Sequence, residues 1–248
     1  AVIAGHTLPR NGSISVLDFP LRAKLTEVFE KQGSDFAELG KVLYLEDGPY
    51  SNPYDLVTFY DNHDMARMNA SDEGFVDAHH WLFTARGIPA VYYGSETGFM
   101  RGRAEHLGNR NYYGQERVDA ASTSPIYPAL KRIANLRRQS PALQRGLQLN
   151  LLMKNDHAAF YRVYEHAGTN QTALVLLNKG DAPSSITLQE YLQAGEWRDA
   201  FDGTKVRIGD QLKLDVPAHG VRVLFFDKAL TRADLRARLA DSMARKER

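Results

Sequence analysis

Residues 54–68 read YDLVTFYDNHDMARM, and the fold turns on how that stretch is read. Leu56, Val57, Phe59 and Tyr60 make a nearly continuous apolar run that breaks into Asp61-Asn62-His63-Asp64. A short apolar run without alternation suits a strand covered on both faces, as in parallel sheets. SISVLDF at 13–19 and GIPAVYYG at 87–94 have the same texture. A helical pattern follows each of the three. PLRAKLTEVFEKQ puts Leu21, Leu25, Val28 and Phe29 on one face, and EGFVDAHHWLFTAR spaces Phe75, Val76, His79, His80 and Phe83 as a helix does. PIYPALKRIANLRRQSPAL starts after Ser124 and stops near Ser140-Pro141. Three strand–helix units in a row predict a parallel α/β sheet. Chemistry in such sheets gathers beyond the C-terminal ends of the strands, which is where Asn62-His63-Asp64 falls. Taken alone, those three residues read rather as a polar cap at a strand–helix junction.

The bulk properties narrow the options. The chain has 248 residues, 43% hydrophobic and 25% charged, enough for one or two globular domains. A formal net charge of +1 gives no electrostatic footprint for nucleic acid. The absence of cysteine excludes disulfides, thiolate metal sites and a cysteine nucleophile. No apolar run is long enough to span a membrane. AVIAGHTLPRNGS has neither an initiator Met nor a signal-peptide layout, so the expectation is a start inside a longer protein.

Beyond residue 143 the texture changes. LNLLMKN, AAFYRVYEH, TALVLLNKG, SSITLQEYL, KVRIGDQLKLDVP and GVRVLFFD are short β-rich runs separated by turn residues such as Asn155-Asp156 and Asp202-Gly203. This pattern predicts an antiparallel β-sandwich over 144–227. Residues 228–248 carry Leu230, Leu235, Leu239 and Met243 at roughly helical spacing among many Arg, which reads as a basic helical tail, solvated or docking.

VTFYDNHDMARM, then LFTARGIPAVYYGSE, then RRQSPAL ahead of an all-β region, together resemble the second half of the α-amylase family of glycoside hydrolases and transglycosylases. The spacing is most similar to bacterial α-amylases and cyclodextrin glucanotransferases. The resemblance implies that residues 1–143 are the last three βα units, strands 6–8, of a (β/α)8 TIM barrel, followed by the family's C-terminal β domain. It implies action on α-1,4-glucans through an oxocarbenium-like transition state. A retaining enzyme of this kind needs a nucleophilic carboxylate and an acid about 5–5.5 Å apart. The family adds a third carboxylate, which this resemblance places at Asp64, with His63 donating to a hydroxyl of the same sugar. Asn62 and Arg67 join the substrate-binding set, although Asn62, like Asp61, also suits a brace at the strand end. In the loop RGRAEHLGNRNYYG, Asn109 and Arg110 resemble an Asn-Arg pair that contacts outer sugars, and Tyr112 or Tyr113 could stack on a glucose ring.

Other polar residues read more plainly. His79 and His80 are neighbours on a helix and do not share a face for a metal. Glu96 could line the cleft, Asp18 reads as structural, and Trp197 as packing. The family's nucleophilic Asp, its general-acid Glu and its Ca2+-binding insertion would all lie upstream of Ala1. The expectation is therefore no cofactor within this chain, an α-glucan as partner, and an N-terminal part of the same protein needed to complete the barrel. The chain alone should be inactive. Cyclodextrin-forming transglycosylation and a non-catalytic sugar-binding or transporter-associated homologue are the competing readings. The family favours an extracellular or periplasmic location.

Overall fold

The computed structural model describes residues 2–12, 14–31, 33–244 and 246–247. Ala1, Ser13, Gln32, Arg245 and Arg248, which the sequence reading assigned to the first unit, its strand and helix, and the tail, lie outside these.

The expected helices form, and their ends have local causes. Asp18 caps Phe19–Glu30 by accepting from the Leu21 N–H at 3.2 Å, with Pro20 in the first turn. That helix buries Leu21, Leu25, Val28 and Phe29, the face the spacing predicted. Ser71 caps Asp72–Thr84, and Asp72 and Glu73 face its positive dipole end. Ile126–Gln139 stops at Ser140, whose hydroxyl caps the next helix, Pro141–Arg145, through the Leu143 N–H.

The parallel strands are shorter than expected. Among the described residues of the first segment, only Leu17 is bridged, to Val57, while Val57–Thr58 pairs with Ile88–Pro89. Local chemistry shortens them. Asn52 caps a 3-10 turn at Pro53–Asp55, so the central strand starts late. Past Thr58, the Tyr60 carbonyl accepts from the Arg22 side chain instead of a neighbouring strand. Beyond Ala90 the third segment turns at Tyr92, whose carbonyl takes the Ser95 N–H.

The second half holds a six-stranded antiparallel sheet. Its order is Leu147–Lys154, His157–His166, Thr169–Asn178, Gly220–Phe226, Gly195–Asp199, Lys205–Ile208. A ribbon of Ser184–Leu188 and Leu212–Val216 packs beside it. KVRIGDQLKLDVP thus splits between two sheets at Gly209-Asp210. Gly195–Asp199 is a strand that the sequence pattern missed, because only Trp197 in it is a large apolar residue. Both faces of the large sheet are covered. Phe160, Val175, Leu177, Val223 and Phe225 pack with Trp81 and the helices, whereas Tyr161, Leu174, Leu176, Leu224 and Phe226 pack with Ile186, Leu188 and Val216. This double burial explains the unbroken run TALVLL. Trp197 is buried between Tyr161 and Phe226, its indole N–H donating to the Gln193 carbonyl.

The tail forms the helix Ala233–Met243, which docks on the β domain through Leu235 and Leu239, with Leu230 buried just before it. Met243, expected on that face, is instead 75% exposed, because it lies at the last position of the helix, beyond the sheet-facing leucines.

Two polar clusters join the halves. Three buried arginines collect backbone carbonyls near the end of the Asp72–Thr84 helix. Arg162 donates to Thr84 O at 2.7 Å and Ala85 O at 2.5 Å, and Arg137 to Phe83, Ala85 and Gly87 carbonyls. Arg86 pairs with Asp18 at 2.5 Å and reaches the Val42 and Leu43 carbonyls. The negative end of a helix dipole is a favourable place for cations. Burial still pulls Arg162 down to about 9 and Arg137 down to about 10. In the second cluster, His219 bridges Asp77 of the helix at 2.8 Å and Asp181 at 3.0 Å. Asp77 raises His219 to about 9. An ion pair alone would lower Asp77, but its burial outweighs the partner and lifts it to about 6.

Candidate active site

The polar break after Tyr60 forms a turn at the C-terminal end of the central strand, with its side chains divided between wall and opening. Asp61 points inward and is buried. It accepts from the Met68 N–H at 3.2 Å and from the Ser95 hydroxyl at 2.9 Å. Burial raises its pKa, and those two donors oppose the rise. Asn62 is half-buried, and its side-chain oxygen accepts from the Asp64 N–H at 2.8 Å, which fixes the turn locally.

His63 and Asp64 are exposed. One oxygen of Asp64 lies 3.1 Å from His63 Nε2, and the other accepts from an Arg110 guanidinium nitrogen at 2.9 Å. The carboxylate is therefore oriented by two flanking groups and remains open to a ligand. Of the residues singled out from the sequence, His63, Asp64 and Arg110 come together here.

Arg67 and Asn109 belong to the wall. Arg67 donates to the carbonyls of Gly108 and Tyr93 at 2.9 and 2.7 Å and to Ser95 at 3.2 Å, with its guanidinium 4.6 Å from the Tyr92 ring centroid. Asn109 is fully buried. It accepts from the His106 N–H at 2.9 Å, and its amide nitrogen donates to the His63 carbonyl. Both side chains are buried and hold the loops, so neither faces the opening. Tyr112 is 87% exposed and lines an open groove with Arg110, Tyr93 and Tyr113. Tyr113 is tied back through its hydroxyl to Thr97 at 2.8 Å and against Phe99. Tyr93 bonds the Asn111 carbonyl at 2.6 Å, so the YYG segment and the 101–114 loop form one rim.

Gly94 is required at the bend. Its φ is +85°, and a Cβ there would meet Phe99 at 2.8 Å. Ser95 follows it and is buried at the centre of the wall, a role that the sequence reading did not assign. The available signal is a small hydroxyl residue directly after a strand-end glycine; Glu96, the acidic neighbour, is half-buried. His79 bonds the Tyr60 hydroxyl at 2.7 Å, and burial lowers His79 to about 3 and His80 to about 4, so both are neutral core residues. Among the described residues, no group of three or more His, Asp or Glu is placed to hold a metal ion. Among the described residues, no helix is long and apolar enough to cross a membrane.

No family model matches the chain. A cyclomaltodextrin glucanotransferase from Bacillus sp. (strain 38-2) is 31% identical over 203 residues, which is 80% of this chain and 27% of that protein. An α-amylase from Niallia circulans is 30% identical over 217 residues, 83% of this chain and 39% of that protein. The chain thus spans between about a quarter and two fifths of these curated relatives. Among solved structures, the α-amylase of Geobacillus thermoleovorans complexed with acarbose aligns with a TM-score of 0.75 at 24% identity, covering 92% of this chain and 51% of that one. The cyclomaltodextrin glucanotransferase CldA, described as having a three-domain ABC distribution, aligns with a TM-score of 0.68 at 27% identity, covering 88% and 45%. A partial barrel followed by a β domain fits these alignments.

Proposed function

We propose, from the premise that this chain belongs to the α-amylase family, that the whole protein carrying it cleaves α-1,4-glucans with retention, Asp64 stabilising the charged transition state. The observation that supports this most is how Asp64 is presented. It stands at a strand end, exposed, its two oxygens oriented by His63 and Arg110. A fixed carboxylate opposite a developing oxocarbenium ion lowers the barrier, and does so more strongly once sugar and protein exclude water. A bound sugar would bring hydroxyls to Asp64 and His63, and Tyr112 offers an aromatic face at the rim. Asn62, Arg67 and Asn109 contribute by holding the turn.

The nucleophilic Asp and the general-acid Glu are supplied by sequence outside these residues, and with them the remaining barrel strands. Any Ca2+ would be held there too, and no step in this chain passes through it. The 248 residues alone are inactive in this reading. An exported, extracellular or periplasmic, location follows from action on polymeric starch. A second reading, transfer to a sugar hydroxyl giving cyclodextrins, is favoured by the sequence similarity to cyclomaltodextrin glucanotransferases. Incubating the whole protein with maltooligosaccharides separates the cases. NMR should detect new reducing ends first as the α-anomer, while chromatography reports cyclic products. A β-anomer first, or no cleavage at all, would remove the proposal.

A further inference from the structure

Residues 61–68 form the turn that carries His63 and Asp64, and the two flanks of this turn converge on one oxygen. Ser95 Oγ donates to the Asp61 carboxylate, 2.9 and 3.1 Å from its two oxygens, and accepts from an Arg67 nitrogen at 3.2 Å. Asp61 and Arg67 bracket the stretch that holds Asn62, His63 and Asp64. All three side chains are buried, Ser95 at 1% exposure and the other two at 2%. The centre of the stretch is tied separately, by Asn109 to the His63 carbonyl.

We propose that Ser95 is a positioning residue that holds His63 and Asp64 in place by joining Asp61 to Arg67. This rests on the reading of Asp64 given above. A hydroxyl has one donor and two acceptor sites, so one serine serves an anion and a cation at once. Alanine can serve neither. Without the hydroxyl, the Asp61 carboxylate keeps the Met68 N–H, and the same Arg67 nitrogen keeps the Tyr93 carbonyl. The two flanks then stay joined through Asp61 and the Met68 N–H but lose their anchor to the bend at Ser95, and the Asp64 carboxylate is freer to drift against the sugar. Displacement of a reacting or stabilising group by about 1 Å can cost about 100-fold in rate. The loss of one donor also leaves burial less opposed at Asp61, whose pKa it already raises.

Ser95→Ala and Ser95→Thr in the whole protein test this with two readouts. Steady-state kinetics on maltooligosaccharides should give a kcat roughly 10- to 100-fold lower for Ser95→Ala with KM little changed. Ser95→Thr, which keeps the hydroxyl, should restore most of the rate. Hydrogen exchange needs no activity. In Ser95→Ala the amides of 62–66 should exchange roughly tenfold faster while those of Ile126–Gln139 stay unchanged. Should Ser95→Ala not fold, Arg67→Lys, which releases one flank only, is read on the same amides. Equal loosening across the whole chain, or failure of Ser95→Thr to restore either readout, overturns the proposal. Local loosening in a protein that cleaves no glucan leaves Ser95 as the anchor and removes the glycosidase reading instead.

Discussion

His157–His166 and Thr169–Asn178 pair over ten positions, whereas Val57–Thr58 and Ile88–Pro89 pair over two. The β half satisfies its backbone with its own ladders, although one face of its large sheet is covered by the helices of the α/β half. The α/β half relies on side chains: Arg22, Arg67, Arg86, Arg137 and Arg162 all donate to main-chain carbonyls there. It also leaves Leu17, Phe19 and Ile88 partly in water along its short sheet. An apolar sheet edge of that kind invites another strand. The difference teaches that one half settles its backbone within itself, and that the other, which bears the candidate site, settles it through side chains drawn from both halves.

The largest expected effect tests what the α/β half presents. Asp64→Asn in the whole protein should lower kcat by roughly 1000-fold without moving the melting temperature. Near-normal turnover would take Asp64 out of the catalytic set. Next comes what holds that half. Arg162→Leu strips donors from three buried carbonyls, those of Thr84, Ala85 and Gly146, and should cost about 3 kcal/mol. Denaturant titration followed by hydrogen exchange should find residues 83–87 opening before the ten-position ladder. If both halves opened together at an unchanged midpoint, the contrast would be wrong.

A subtler effect lies at the second junction. His219 and Asp77 both bind protons more readily folded than unfolded, because their folded pKa values, about 9 and about 6, exceed the ordinary 6.5 and 3.8. Stability from this cluster is then greatest at low pH and falls as pH rises, with the His219 part lost on passing through about 9. Thermal melts from pH 6.5 to 10 should decline, and His219→Gln should flatten that decline; an identical slope would assign it to other groups. The smallest effect belongs to Lys205→Ala. Its pair with Glu196 is solvent-exposed, and the change should stay within about 0.5 kcal/mol by denaturant midpoint.

Much of this was legible in the chain. The helix faces followed from spacing, and the polar break after Tyr60 located the turn that carries His63, Asp64 and, through it, Arg110. Strand lengths were not legible, since pairing depends on a cap at Asn52 and a side chain at Arg22 that compete for the backbone. Nor was the wall. Asn109 and Arg67 have the chemistry of sugar contacts, and only the fold reveals that backbone carbonyls claim them. Arg162 did leave a trace. It shares parity with Ala158 and Phe160, the face turned to the helices, so strict alternation would have placed a guanidinium in the core. The His219–Asp77 bridge joins residues 142 positions apart, and no local pattern announces it.

The buried arginines also govern where this protein can be cut and rejoined. A chimera that exchanged everything after Gly146 for the β domain of a relative would discard Arg162 and retain the Thr84 and Ala85 carbonyls it serves. The seam would look clean in an alignment, and Ala85 would keep Arg137, but the Thr84 carbonyl would be left without its arginine donor. A donor domain therefore has to bring its own long cation at the position of Arg162 before any other feature of the graft matters.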